Sequence, residues 1–451
     1  MTETLSTSVR QEVRKNNPDG SAQDYTMRKG LVGLFECGRF FGSGWRRRWF
    51  MVSGIPMKIK SVGFSVCAAL VMVLALAGGV AAAEKVAMPK ATAGKIVLEL
   101  PPVPGNPRNS EGAFAELGDG KILFVYSHFL GSSGSDHAKA RLAARVSADG
   151  GETWSGDTFV AIPREDEAMN VMSVSLLRLG NGDLGLFYLL RFSWHEMRMW
   201  MLRSPDDGRT WGEPVNCMPA GGYYVVNNDR VVRLASGRLV IPAARHPSRA
   251  DRNEASAVDW RGVTTFFLSD DDGRTWRESA GSVTLPVVHT RSGLQEPGVV
   301  ELAPGHLWAW ARTDLGRQYE MFSTDGAETW TQATPSRFAS PNSPLSVKRL
   351  PDEGKKLLAI WNPAPGYETR PMQSPGGDRT PLVIATGAGA AGKWSAAKII
   401  DGPDEPTAGY SYTAIHFTKD AVLLAYCAGG DADKSRLARL RVRKVSLAML
   451  P

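Results

Sequence analysis

Polar turns alternate with short apolar runs along most of the chain. Six turn-then-strand signals stand out: "GDGKILFVY", "GNGDLGLFYLL", "ASGRLVIPAA", "APGHLWAWAR", "DEGKKLLAIW" and "TKDAVLLAYC". They recur at intervals of about 50 to 70 residues, room for four short strands with their turns. A second pattern repeats between them. "SADGGETW" (Ser147–Trp154), "SPDDGRTW" (Ser204–Trp211), "SDDDGRTW" (Ser269–Trp276) and "STDGAETW" (Ser323–Trp330) share Ser-x-Asp-x-Gly-x-Thr-Trp, with Ala327 replacing Gly in the last. Their tryptophans lie 57, 65 and 54 residues apart, and a worn copy, "TGAGAAGKW", ends at Trp394, 64 residues further on.

A four-stranded unit cannot bury both faces of its sheet alone, so neighbouring units must stack into a ring. The spacing predicts an all-β fold, a six-bladed β-propeller over about residues 90–451. The sixth unit has no box, and the early strand "KIVLEL" (Lys95–Leu100) is expected to complete it and close the ring. In each box the Asp can accept backbone N–H bonds, the Gly permits positive φ, and the Trp is expected to pack between blades. The consecutive aspartates of "SDDDGRTW" suggest a calcium loop, but EF-hand spacing and its terminal Glu are missing.

Charge changes the picture only by its position. Of the 53 Lys/Arg and 46 Asp/Glu, 11 and 5 fall in residues 1–83, leaving 42 against 41 beyond. The folded part is near neutral, which removes support for nucleic-acid binding. "MKIK" at Met57–Lys60, an apolar run and Ala81-Ala82-Ala83 before Glu84 have the form of a secretory signal peptide at 57–83. A membrane anchor over Val62–Ala83 is the rival. The protein is therefore expected to be secreted or periplasmic, with no stable membrane span after cleavage. Residues 1–56 read as an unstructured or mis-assigned extension preceding a start at Met57. Beyond the signal, Cys217 and Cys427 allow one disulfide without establishing it, and no Cys/His metal pattern is present.

Four such boxes on a six-fold pattern are known as Asp boxes, or BNR repeats, and the chain resembles the sialidase (neuraminidase) superfamily over nearly all of residues 84–451. The resemblance implies that the boxes lie on the periphery, away from a central pocket. It implies an exo-α-sialidase, whose substrate carries a carboxylate on the anomeric carbon and is gripped by three arginines. Arg108 in "NPRNSEGAF" matches the first, although Asn109-Ser110 stand where the family has Ile-Pro. Arg312 in "GHLWAWARTDLG" and Arg379 in "GGDRTPLVIA" match the other two. Asp136 in "GSSGSDHAKARLAAR" matches the acid/base residue, for which a carboxyl shielded from water would have a raised pKa. His137 is a second proton-donor candidate. Glu296 in "LQEPGVVEL" matches the strand-borne Glu that activates a tyrosine nucleophile.

Tyr410 in "GYSYTAIHF" fits that nucleophile, and Tyr412, two residues on and expected on the same strand face, competes with it. Asn170, Asn227, Asn228, Asp229 and Gln295 stand at strand starts where they are expected to line the pocket. The chemistry needs no metal and no organic cofactor, and the expected partner is a sialylated or other acidic glycan. Three alternatives remain open: a non-catalytic glycan-binding propeller, a propeller glycosidase or lyase acting on another acidic sugar, and a structural secreted propeller.

Overall fold

The computed structural model describes residues 93–249, 251–351, 356–363, 379–402 and 408–451, so the expected signal segment and the extension before it lie outside the described residues. Among the described residues the strands form six antiparallel sheets. Blade 1 is Asn109–Glu116, Ile122–Phe129, Ala140–Ser147 and Thr158–Phe159. Blade 2 is Asn170–Arg178, Leu184–Arg191, Met197–Ser204 and Val215–Asn216. In blade 3 the inner strand is broken into Tyr224–Val225 and Val232–Arg233, followed by Leu239–Arg245, Val263–Ser269 and Arg277–Glu278. Blade 4 is Gln295–Ala303, His306–Arg312, Arg317–Ser323 and Thr334–Ala339. Blade 5 is Ser346–Arg349, Leu357–Trp361, Leu382–Gly387 and Lys398–Asp401. Blade 6 is Ser411–Phe417, Ala421–Cys427 and Leu440–Ser446, with Lys95–Leu100 paired on its outside. The first strand thus closes the ring on the last, as the sequence predicts.

The core is divided in the way stacked sheets require. Buried apolar residues gather in six clusters, one between each pair of adjacent blades. Each fully buried Leu, Ile or Phe contributes roughly 1.5–3 kcal/mol. Box tryptophans join these seams. Trp276 of blade 3 meets Phe187 of blade 2 with ring centroids 6.1 Å apart, and Trp330 of blade 4 stacks on Phe266 of blade 3 at 4.0 Å.

All three aspartates of "SDDDGRTW" have structural partners. Asp271 accepts the Thr275 N–H at 2.9 Å and its hydroxyl at 2.6 Å, while Ser269 Oγ accepts the Gly273 N–H at 2.8 Å. The same bonds recur around Asp149, Asp206 and Asp325. Gly273 has φ 88°, and Ala327 at φ 77° accepts the same left-handed turn without glycine. Asp270 pairs with Arg238, and Asp272 accepts the Gly180 N–H at 2.7 Å, stapling blade 3 to a blade 2 turn.

Boxes join third to fourth strands, so strand reversal puts them on the end of the ring opposite the loops joining second to third strands. Asp271→Ala is expected to lower stability by about 1–2 kcal/mol, the range for losing a side-chain cap. A denaturant titration checks this, and the folded fraction should keep its ligand affinity. Acid should act in the same way. Burial acts to raise Asp271 and Asp325, but bonds from Thr and Ser outweigh it and hold both at about 2. Their contribution is therefore present above the unfolded Asp value of about 4 and is lost as pH falls through about 2.

Candidate active site

An unbroken inner strand would alternate its side chains between the two faces of the blade. Here the alternation is interrupted by left-handed residues: Glu111 (φ 56°), Ser173 (58°), Asp229 (57°), Glu296 (46°) and Tyr412 (61°). Glu111, Ser173, Glu296 and Tyr412 sit at register shifts between the first two strands of their blades, and Asp229 lies in the gap of blade 3's inner strand. Such bulges re-aim side chains. Glu111, Ser173, Glu296 and Tyr412 all line one pocket of about 250 Å³, together with Asp136, His137, Arg191, Tyr223, Asn227, His246, Trp260, Gln295 and Arg312.

Tyr412, from blade 6, and Glu296, from blade 4, meet there. The Tyr412 hydroxyl donates to Glu296 Oε1 at 3.2 Å and accepts from Arg312 Nη1 at 3.1 Å. Arg312 Nη1 also lies 3.0 Å from Glu296 Oε2, and Gln295 Oε1 accepts from Arg312 Nη2 at 2.9 Å. Burial pushes the Tyr412 phenol up to about 12; Glu296 adds to this, and Arg312 and Arg379 oppose it. The phenol is therefore neutral at rest and has a carboxylate in reach to take its proton.

Tyr410 is elsewhere, which corrects the preference for it. Its hydroxyl donates to the Gly402 carbonyl at 2.7 Å and its ring packs against Tyr426 in the seam between blades 5 and 6. The left-handed conformation at Tyr412 breaks the period of two, so the two tyrosines do not share a face.

The arginines differ in access. Arg379 lies beside the Tyr412 ring, 5.3 Å from its centroid, and donates to Ser411 Oγ at 3.1 Å. Arg108 is only 1% exposed. It donates to Glu111 Oε1 at 2.8 Å, to Ser110 Oγ at 2.9 Å and to the Asp136 carboxylate, so two carboxylates already face it. Asp136 departs from expectation: its side chain is 54% exposed. Such burial as it has acts to raise its pKa, but the Arg108 guanidinium outweighs this and holds it below the usual range. Glu111 goes the other way. Burial, opposed by Arg108 and helped by Asp136, brings it to about 7.

The remaining polar positions divide. Gln295 and Asn227 line the pocket, and Gln295 also donates to the Trp260 carbonyl at 2.8 Å. Asn170, Asn228 and Asp229 are instead turned into structural links. Asn170 donates to the Ala138 carbonyl at 2.6 Å, holding the loop that carries Asp136. Asn228 donates to the carbonyls of Gly112 (2.7 Å) and Tyr412 (3.2 Å). Asp229 accepts from Lys348 Nζ at 2.7 Å and from the Ile415 N–H at 2.8 Å, tying blade 3 to blades 5 and 6. Cys217 and Cys427 are buried free thiols, so the disulfide does not form.

Comparison with known proteins adds a family. The profile of the BNR repeat-like domain matches residues 131–424, more than half of the chain. The chain belongs to the BNR repeat-like family, within the sialidase superfamily. A sialidase of Bacteroides fragilis (strain YCH46) is 25% identical over 278 residues, 54% of this chain and 48% of that protein. Human Sialidase-4 is 28% identical over 240 residues, 48% of each. The chain thus spans about half the length of the curated relatives it matches. Among solved structures, the Hadza microbial sialidase Hz136 superposes with a TM-score of 0.59 at 18% identity, covering 77% of this chain and 67% of that one. At that identity the likeness is one of fold.

Within this BNR repeat-like propeller, Arg191, Glu111 and Ser173 were missed in the sequence. A signal for Arg191 exists: it ends the second strand of blade 2, "LGLFYLLR", as Arg312 ends that of blade 4, "HLWAWAR". Arg191 donates to the Asp136 carbonyl at 2.7 Å and to the His137 ring. Tyr410→Phe should leave the Gly402 carbonyl short of a donor, lowering stability by about 1 kcal/mol without altering ligand affinity. Thermal denaturation beside a binding isotherm checks both.

Proposed function

We propose that the chain is an exported exo-α-sialidase, a glycoside hydrolase releasing terminal sialic acid with retention of configuration through Tyr412. The observation that carries this is the contact of the Tyr412 hydroxyl with both Glu296 and Arg312 in the pocket. A carboxylate nucleophile would be repelled by a substrate whose anomeric carbon bears a carboxylate, whereas a neutral phenol is not. The kinship with proteins named sialidases supports the same substrate class, and the signal-like segment at 57–83 supports export.

In the first half-reaction Tyr412 Oη bonds to the anomeric carbon as its proton passes to Glu296. The bond to the leaving oxygen breaks with its electron pair, and that oxygen takes a proton from Asp136. In the second, Asp136 takes a proton from water, whose oxygen bonds to the anomeric carbon. The Tyr412 C–O bond then breaks, and the phenolate recovers its proton from Glu296. Arg312, which lines the pocket, and Arg379, over the Tyr412 ring, offer guanidinium N–H groups to the substrate carboxylate.

Hydrolysis of a fluorogenic sialoside tests the proposal. Tyr412→Phe should lower kcat about a thousandfold or more, and Glu296→Gln about 10²–10⁴-fold. Full turnover by Tyr412→Phe would contradict it, and sugar binding without turnover by the wild type would favour a non-catalytic glycan-binding propeller. Because Arg108 keeps Asp136 ionised at neutral pH, its protonated fraction grows as pH falls. The first half-reaction should therefore quicken from about pH 8 to about pH 6, in line with general acid catalysis. Single-turnover rates of leaving-group release across that range check the sign.

A further inference from the structure

Glu111 stands between the first arginine and the pocket. Its Oε1 accepts from Arg108 at 2.8 Å and its Oε2 accepts from Ser173 Oγ at 2.7 Å. Its left-handed backbone turns the carboxyl into the pocket wall that also holds Glu296, Tyr412 and Arg312. Arg108 lies behind it with Asp136 on its other nitrogen, so with both carboxyls ionised the three groups together carry one net negative charge. A sugar carboxylate entering towards Arg312 brings a further negative charge to that wall. Water is scarce around Glu111, whose side chain is 4% exposed, so solvent screens the repulsion poorly.

A protonated Glu111 removes the conflict. Its O–H donates to the incoming carboxylate, while the other oxygen still accepts from Arg108 or Ser173. We propose that Glu111 determines the charge specificity of the pocket, admitting a carboxylated sugar only as its own carboxyl takes up one proton. The inference rests on the sialidase reading for the identity of that sugar.

The surroundings fit this role. Burial has already brought Glu111 to about 7, so the proton is readily gained near neutrality. The charged and titratable groups facing it are Arg108 just before its own strand, Asp136, Arg191, Glu296, Tyr412 and Cys427. Burial pushes the Cys427 thiol up to about 12, as it does the Tyr412 phenol, and Arg108 holds Asp136 low. His137 is lowered by burial and Arg191, and His246 is brought to about 4 by burial, so neither gains a proton near pH 7.

Calorimetric titration of the full chain with a 2,3-didehydro sialic acid tests this, using two buffers of different ionisation enthalpy at each pH. At pH 8 the wild type should take up close to one proton per ligand bound. Its affinity should weaken about tenfold per pH unit above neutrality, the slope of a one-proton linkage. Glu111→Gln should abolish both effects. Ser173→Ala, which removes a bond to the ionised carboxyl, should move the break to higher pH and serves where Glu111→Gln does not fold. Binding without proton uptake, or a Glu111→Gln variant with the wild-type pH slope, would overturn the proposal and leave the sialidase reading intact. No binding to either protein at any pH would overturn both.

Discussion

An L-residue held near φ +60° costs about 1–2 kcal/mol, and the inner strands of this ring contain such residues at Glu111, Ser173, Asp229, Glu296 and Tyr412. The pocket depends on that expense. Without it, strict alternation would leave these side chains at other angles to the ring axis, and the contact of Tyr412 with Glu296 would be lost. The strain is sustained by the stacking of blades. Six apolar seams and the box staples brace the blades from outside, and Asn228 and Asp229 tie blade 3 to blades 1, 5 and 6 across the centre. Local backbone energy is thus exchanged for a fixed constellation of polar groups.

The architecture was legible because it is periodic. Boxes and turn-then-strand signals repeat once per blade, and the closing strand Lys95–Leu100 follows from counting four strands per unit. Part of the expected constellation does come together: Asp136, Gln295, Glu296 and Arg312 line one pocket, and Arg108 and Arg379 touch residues of its wall from behind. What could not be read were departures from period. Tyr412 differs from Tyr410 through a left-handed backbone at a non-glycine residue, which leaves no compositional mark. Asn228 and Asp229 look like pocket residues in the string "VVNNDR", yet their bonds run across the ring to other blades. The lowered carboxyl of Asp136 depends on Arg108, 28 positions away in sequence and adjacent in space.

Electrostatically the pocket is a balance between guanidinium groups and carboxylates in a poorly hydrated space. Glu296 is paired with Arg312, and Asp136 and Glu111 share Arg108. The shared guanidinium lowers both carboxyls, and the balance with burial separates them: burial raises Glu111 in spite of Arg108, while for Asp136, half in solvent, Arg108 wins and holds it below its ordinary range. Environments that push titratable groups apart in this way divide proton-handling roles within one site. Burial keeps the Tyr412 phenol neutral at rest, while Arg312 on its hydroxyl and Arg379 against its ring place cations where charge develops on its oxygen.

The central claim is that Tyr412 forms the covalent bond to the sugar. A fluorinated sialosyl fluoride, which forms its glycosyl–enzyme bond but releases it slowly, gives the most direct measurement when followed by proteolysis and mass spectrometry. The account predicts one adduct, on the peptide containing Tyr412, with fragment ions placing it on that oxygen. An adduct on Tyr410 or on Glu296, or sustained turnover of the reagent with no adduct at all, would contradict it.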